Sequence, residues 1–437
     1  MDIIVCHQQT YFLVPIQKPM LGWRVRSGTF RVSAPYDRRL LPPEAEQSAS
    51  HSRRKKIRKL MQEENTLDSE NERKLIQWIS LQFQAALNQP GAVKLIHDMG
   101  TDMFYGAGSL ESESSHLDFV LLQPTLQLLK SGFSDMSINP VIDFDELHLC
   151  QRSQSIDLGD IYETLVVNTQ PAAVVINVIA ENKPKYLVPP RSAFIISDLD
   201  KIHGLLSIAQ KRGGFDMIIM DPPWQNASVD RLSRYNTLDL YDLFKIPISG
   251  LLRNDDLAGA RASPVVAVWI TNRRKVRRFV VEKLFPAWGL KLVARWYWLK
   301  ITTQGEPVLD LSNTHRKAYE GILIGRRVCP QDSLGKNDAN PGNELELPLA
   351  FLEDNISEMN KRLVVSVPGQ HSRKPTLGTL LRKEFFKGAD YTINQLELFA
   401  RNLEEGVVSW GNEPLRYQYC GRDTTSGPKY DGYLHPC

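Results

Sequence analysis

The apolar run Phe215-Asp216-Met217-Ile218-Ile219-Met220 passes without a break into Asp221-Pro222-Pro223-Trp224. Two prolines in series donate no backbone hydrogen bond and fix their φ angles. A strand must therefore end there, and the loop that follows is stiff. That loop presents one carboxylate, unpaired carbonyls and an indole. From ordinary residue frequencies the tetrapeptide arises by chance about 10⁻³ times in a chain of this size. The bland alternative is a Pro-Pro turn around a core tryptophan, and the position at the end of a strand weighs against it.

From about residue 190 short apolar runs alternate with helical stretches. The expected strands are 193–197, 215–220, 265–270, 292–299, 321–325, 363–367 and 396–400. Runs apolar on both faces fit a parallel sheet covered by helices. Strands alternating with helices predict a doubly wound α/β domain, with its ligand at the carboxyl ends of the strands.

A chain of 437 residues has room for two to three domains. We expect a flexible basic segment over 1–62, an accessory domain over 63–180, the α/β domain over 181–417 and a flexible tail over 418–437. Six of the seven residues from Arg53 to Lys59 are basic. They read equally as a localisation or nucleic-acid patch and as a solvated lead into a helix. Leu75, Trp78, Ile79 and Phe83 recur at helical spacing and predict an amphipathic helix over 72–87, stopped by Asn88-Gln89-Pro90-Gly91. The net charge of +3 makes any nucleic-acid binding a matter of local patches. Five scattered cysteines without a CxxC support neither a zinc ribbon nor a disulfide framework, and no metal-ligand spacing occurs. The usage fits a reducing compartment. The longest central apolar stretch, 172–180, is too short for a bilayer. The first twelve residues do not read as a signal peptide.

The exocyclic amine of adenine suits the carboxylate loop. Its lone pair is delocalised into the ring, so it is a poor nucleophile. Asp221 Oδ and the Pro222 carbonyl can accept its two N–H groups and hold it toward an electrophile, and Trp224 offers a face to a flipped base. Charge grows on the amine as it attacks, so these acceptors favour the transition state.

Asp221–Trp224, with four further segments in order, resembles the eukaryotic adenosine-N6-methyltransferase family that includes the catalytic subunit of the mRNA m6A writer. The resemblance covers about 193–413. It implies a Rossmann-like fold with permuted motif order, S-adenosylmethionine as cofactor, and an enzyme active without a partner subunit. Ser197-Asp198-Leu199 matches the segment contacting the adenine end of the cofactor. Asp221 matches the catalytic acid, which also lies near the methionine amino group, within the catalytic set Asp221, Pro222, Pro223 and Trp224. Lys374, in His371–Pro375, matches the contact to the methionine carboxylate. Glu397 to Arg401, including Phe399, matches the family's Glu-Leu-Phe-x-Arg strand and loop, with Asn402 standing where the mRNA writer has proline. Gly411-Asn412-Glu413 matches Gly-Asn-Gln. On the substrate side the resemblance implies Trp224, Asn226, Tyr235 and Lys300.

The resemblance further implies RNA as substrate, at an internal 2′-O-methyladenosine of U2 snRNA, in the nucleus with the cytoplasm as a second site. DNA adenine is the alternative substrate, and a non-catalytic scaffold subunit the alternative class. The intact acidic tetrapeptide argues for an enzyme. A nicotinamide oxidoreductase lacks its GxGxxG. Arg273–Arg278 reads either as a phosphate track or as a solvated helix start.

Overall fold

Met217–Met220 and Val265–Ile270 are strands buried along their whole length. Their side chains alternate between two apolar layers. Ile218, Met220, Val266 and Val268 face one layer, and Met217, Ile219, Val265 and Ala267 the other. This is the outcome expected of runs apolar on both faces.

The computed structural model describes residues 3–7, 9–14, 24–25, 55–92, 94, 96, 139–143, 156–157, 161–179, 185–224, 239–254, 261–313, 316–327, 360–368 and 373–421. Among these residues, twelve strands form the main sheet. Its centre is five parallel strands in the order Val265–Ile270, Met217–Met220, Gln395–Leu398, Val407–Gly411 and Ser192–Ile196. All seven strands expected from the sequence are present, with no end shifted by more than two residues. The fold is mixed α/β, Rossmann-like, with Asp221 preceding the Lys374 and Asn412 segments in the chain.

Among the seven expected strands, the expectation of a parallel sheet is corrected at one. Tyr319–Arg327 runs antiparallel to both its neighbours, Val265–Ile270 and Leu290–Lys300. The connection from 301 to 318 holds no helix among the described residues, so the chain returns beside its own strand instead of crossing over.

The expected division of the chain also differs from the structure. Thr10–Val14, within the segment expected to be flexible, pairs in parallel with Leu363–Val365, and Ile3–His7 pairs with it in turn. Thr164–Asn168, assigned to an accessory domain, pairs antiparallel with Ser192–Ile196. The helix begins at Lys55 rather than 72 and ends at Leu87 as expected, crossing the boundary at 62. Its Ile79, Phe83 and Ala86 pack against Phe12, Tyr297, Leu299, Leu363 and Val365. A sheet face this apolar needs a cover, and the helix supplies it. Tyr419–Gly421, expected in a flexible tail, pairs with Lys185–Val188 in a second sheet of five strands. No described helix is long and apolar enough to cross a membrane.

Candidate active site

The carboxyl ends of the five parallel strands gather the residues that the sequence singled out, at the place where an open α/β sheet binds ligands. Met217–Met220 delivers Asp221. Its Oδ2 lies 3.3 Å from Arg401 Nη1 and 3.8 Å from Lys374 Nζ. Burial pushes the Asp221 carboxyl above the usual range, while Lys374 and Arg401 pull it back. Lys374 and Lys300 both bind Glu320, which two ammonium groups hold at about 2 against the opposing effect of burial. Lys374 also sits over the rings of Trp269, at 5.3 Å, and Trp298, at 5.9 Å. On the other side Arg401 approaches Glu413 at 3.7 Å, and Arg416 holds Glu413 at 2.7 Å. The result is an alternating chain of charges with Asp221 at its centre.

Glu397 is the exception within that chain. Its carboxyl is buried, Oε2 has no hydrogen-bond partner, and it lines the same cleft as Asp221, Trp269, Lys374, Phe399 and Arg401. Burial first, then repulsion from Glu404 and Asp221, raises its pKa well above the ordinary value, and Arg401 offsets only part of this. A buried carboxyl with an orphaned oxygen fits a cationic ligand group, which would satisfy the oxygen and let the acid ionise. The ammonium of the methionine end of S-adenosylmethionine is such a group, with Lys374 as the cation for its carboxylate. Phe399, between Glu397 and Arg401, holds φ at 58°, a left-handed backbone rare outside glycine. Such strain concentrates at ligand sites. Asn402 lines the cleft beside it.

A second cluster lies at the ends of Ser192–Ile196 and Val407–Gly411. Asn412 Nδ2 donates to Asp198 Oδ1 at 3.0 Å, and the Tyr162 hydroxyl donates to Asp198 Oδ2 at 2.6 Å. Ser197 N donates to the Gly411 carbonyl at 3.1 Å, and Leu199 packs against the apolar layer below. A Cβ on Gly411 would lie 3.1 Å from Phe399 Cα and from Ala400 N, so the loops after these two strands approach this closely only across a glycine. A carboxylate and an amide beyond adjacent strand ends match ribose hydroxyls and an adenine edge.

Trp224 differs from its expected part. It is only 8% exposed, and its indole N–H donates to the Trp269 carbonyl at 2.8 Å. The Trp224 amide donates to the Pro222 carbonyl at 2.8 Å, closing a tight turn with Pro223 at its centre. In this structure the indole braces the Asp-Pro-Pro loop against the core and offers no open face to a base. Lys300 is committed to Glu320 and lies 4.9 Å over the Trp298 ring. Asn226 and Tyr235 lie outside the described residues, as do the side chains of the Arg53–Lys59 run. Sequence reasoning missed Glu320 and Tyr162. A lone acid at the mouth of the apolar strand 319–327 was a faint signal for Glu320, and nothing local marked Tyr162.

Comparison with known proteins converges on the same segment. The MT-A70 family pattern matches residues 215–413. Residues 215–413 belong to the MT-A70 family. The chain is 37% identical over 279 residues to human "N(6)-adenine-specific methyltransferase METTL4", covering 64% of this chain and 52% of that protein. It is 37% identical over 244 residues to "N6-methyladenosine RNA methyltransferase MTA1" of Cryphonectria parasitica, covering 53% of this chain and 62% of the relative. It is 35% identical over 243 residues to a "DNA N6-methyl methyltransferase" of Caenorhabditis elegans, covering 54% of each. The chain thus spans about half the length of the human relative. The MT-A70 segment runs from the strand before Asp221 to Glu413, so it contains every site residue described above except those at 162, 197–199 and 416. Those lie outside the matched segment and are tied to it through Asn412.

Proposed function

We propose that this chain is an S-adenosylmethionine-dependent methyltransferase acting on the N6 amine of adenosine in RNA, at the internal 2′-O-methyladenosine of U2 snRNA. The observation that carries the reading is Asp221: a half-buried carboxylate at a strand end, steadied by Lys374 and Arg401, in a cleft that also holds the orphaned Glu397 oxygen. The cofactor supplies an electrophilic methyl group on a sulfonium, whose sulfur keeps the C–S bonding pair on transfer. Asp221 and the second lone pair of the Pro222 carbonyl accept the two N–H groups of the amine and orient its lone pair toward that methyl. Neither Lys374 nor Arg401 can act as a base while cationic, so both hold Asp221 in place and oppose the effect of burial on its carboxyl. As the N–C bond forms, the amine gains positive charge and both acceptors bind it more strongly. Its extra proton leaves toward Asp221 and solvent. Asp198, Asn412 and Tyr162 grip the nucleoside end, and Lys374 and Glu397 the amino-acid end.

The printed names of the fungal and human relatives support an adenine-N6 reaction, and the fungal name supports RNA. The nematode relative's name keeps DNA as the competing substrate. Nuclear residence, and activity without a partner subunit, belong to the same reading. Methyl transfer from labelled cofactor to matched oligonucleotides, differing only in ribose, 2′-O-methylribose or deoxyribose at the target adenosine, tests it. The 2′-O-methyl RNA should be the best substrate. Preference for the deoxy strand would replace RNA by DNA, and label in none of them would remove the enzyme reading.

A further inference from the structure

We infer that Tyr241 and Phe244 form a stacking platform for unpaired bases flanking the target nucleotide. The inference rests on the nucleic-acid reading above and adds a binding surface outside the methyl-transfer cleft. Tyr241 is 59% exposed and Phe244 39% exposed, among the few large apolar side chains described as open to solvent. Both sit on a short helix, Leu240–Lys245. They pack edge-on against buried Phe279, each with its ring centroid 5.6 Å away, and lie 6.1 Å from one another. Aromatic rings left open in pairs are costly on a soluble surface unless something covers them.

The platform is built to stay in place. Asp239 caps the helix by accepting from Tyr241 N at 3.0 Å, and Asp242 reciprocally accepts from Asp239 N at 3.2 Å. Phe279 belongs to the same apolar cluster as Trp224 and Ile270, which ties the platform to the layer beneath the Asp221 loop. The short helix also follows that loop in sequence.

Charge selects the occupant. Segments 239–245 and 273–283 carry seven basic against three acidic side chains, on a chain whose net charge is only +3. Lys283 lies 5.6 Å over the Tyr241 ring, and Arg274–Arg278 form the helix turn leading directly into Phe279. Exposed rings interleaved with cations match a single-stranded polyanion, whose bases stack while its phosphates are neutralised. Base faces are alike in RNA and DNA, so the platform tolerates sequence and sugar and contributes grip.

The test uses the full chain and its Tyr241→Ala/Phe244→Ala variant, with labelled single-stranded RNA and DNA of about 4 and about 16 nucleotides, read by fluorescence anisotropy. The variant should lose at least about tenfold in affinity for the longer strands, the loss of roughly one stacked base, and little for the short ones. Tyr241→Phe/Phe244→Tyr should restore it, and S-adenosylmethionine affinity should be unchanged throughout. Equal affinity of variant and parent for the longer strands overturns the inference. So does a parent that self-associates through these rings, seen as a dimer in sedimentation that the variant abolishes while strand affinity stays the same. The readout is binding, so a parent that binds strands yet transfers no methyl would defeat the proposed activity and leave the platform standing.

Discussion

In the proposed reaction Asp221 concentrates the chemistry in one side chain, and its neighbours make it removable without collapse. Lys374 keeps Glu320, and Arg401 keeps Glu413, when the carboxylate is gone. Asp221→Asn should therefore fold with unchanged circular dichroism and lose at least about 10²-fold in turnover, the size expected for one well-placed polar group. Near-normal single-turnover rates would show that the carboxylate is dispensable. Glu397 gives a pH signature. Its folded pKa lies above the ordinary 4.5, so its stabilising effect is complete below about that pH and is lost as pH rises toward the folded value. Glu397→Gln cannot ionise, so its Tm should gain on the parent's as pH rises from about 4.5 to 8. A Tm difference that stays constant with pH would mean that Glu397 is already ionised. Such facts were out of reach of the sequence. The Asp-Pro-Pro-Trp spacing announced a loop and an acid, but whether Trp224 faces a base or the core depends on Trp269, forty-five residues away, presenting its carbonyl to the indole.

At the scale of elements, the sequence was most legible where burial is two-sided. Val265–Ile270 reads as a strand because every residue is apolar, and it is one. Direction is a different matter. Nothing within 319–327 says that it runs against its neighbours; the missing crossover helix does. Edge elements were hardest. Thr10–Val14 is five residues whose only apparent partner in sequence is the hairpin mate Ile3–His7, while the strand that docks it lies at 363–365. The long helix was legible by its period, though its target was not. Phe83 is 3% exposed against Tyr297, Leu299 and their neighbours. Phe83→Ala should lower unfolding stability by about 3–5 kcal/mol in a single cooperative transition. A separate early transition, with the main one unmoved in denaturant, would mark the helix as an independent unit.

For the whole molecule, the sheet does not stop where composition changes. A piece spanning 181–437 would bare the edge of Ser192–Ile196, uncover the face beneath the helix and lose the Tyr162 hydroxyl from Asp198. It should express largely as aggregate, and any soluble fraction should bind S-adenosylmethionine more weakly than the full chain by calorimetry. Cofactor affinity equal to that of the full chain would restore the boundary. The pairing of Thr10–Val14 with Leu363–Val365 also orders events in time. A ribosome adding about 5–20 residues per second needs on the order of tens of seconds to travel between those two segments. Throughout that interval Thr10–Val14 waits for its docking neighbour, and Asp198 waits through 214 residues for Asn412. A nascent chain arrested short of residue 407 cannot assemble the nucleoside grip. Until the last parallel strand emerges, the unpaired edges of its earliest segments stay open to aggregation.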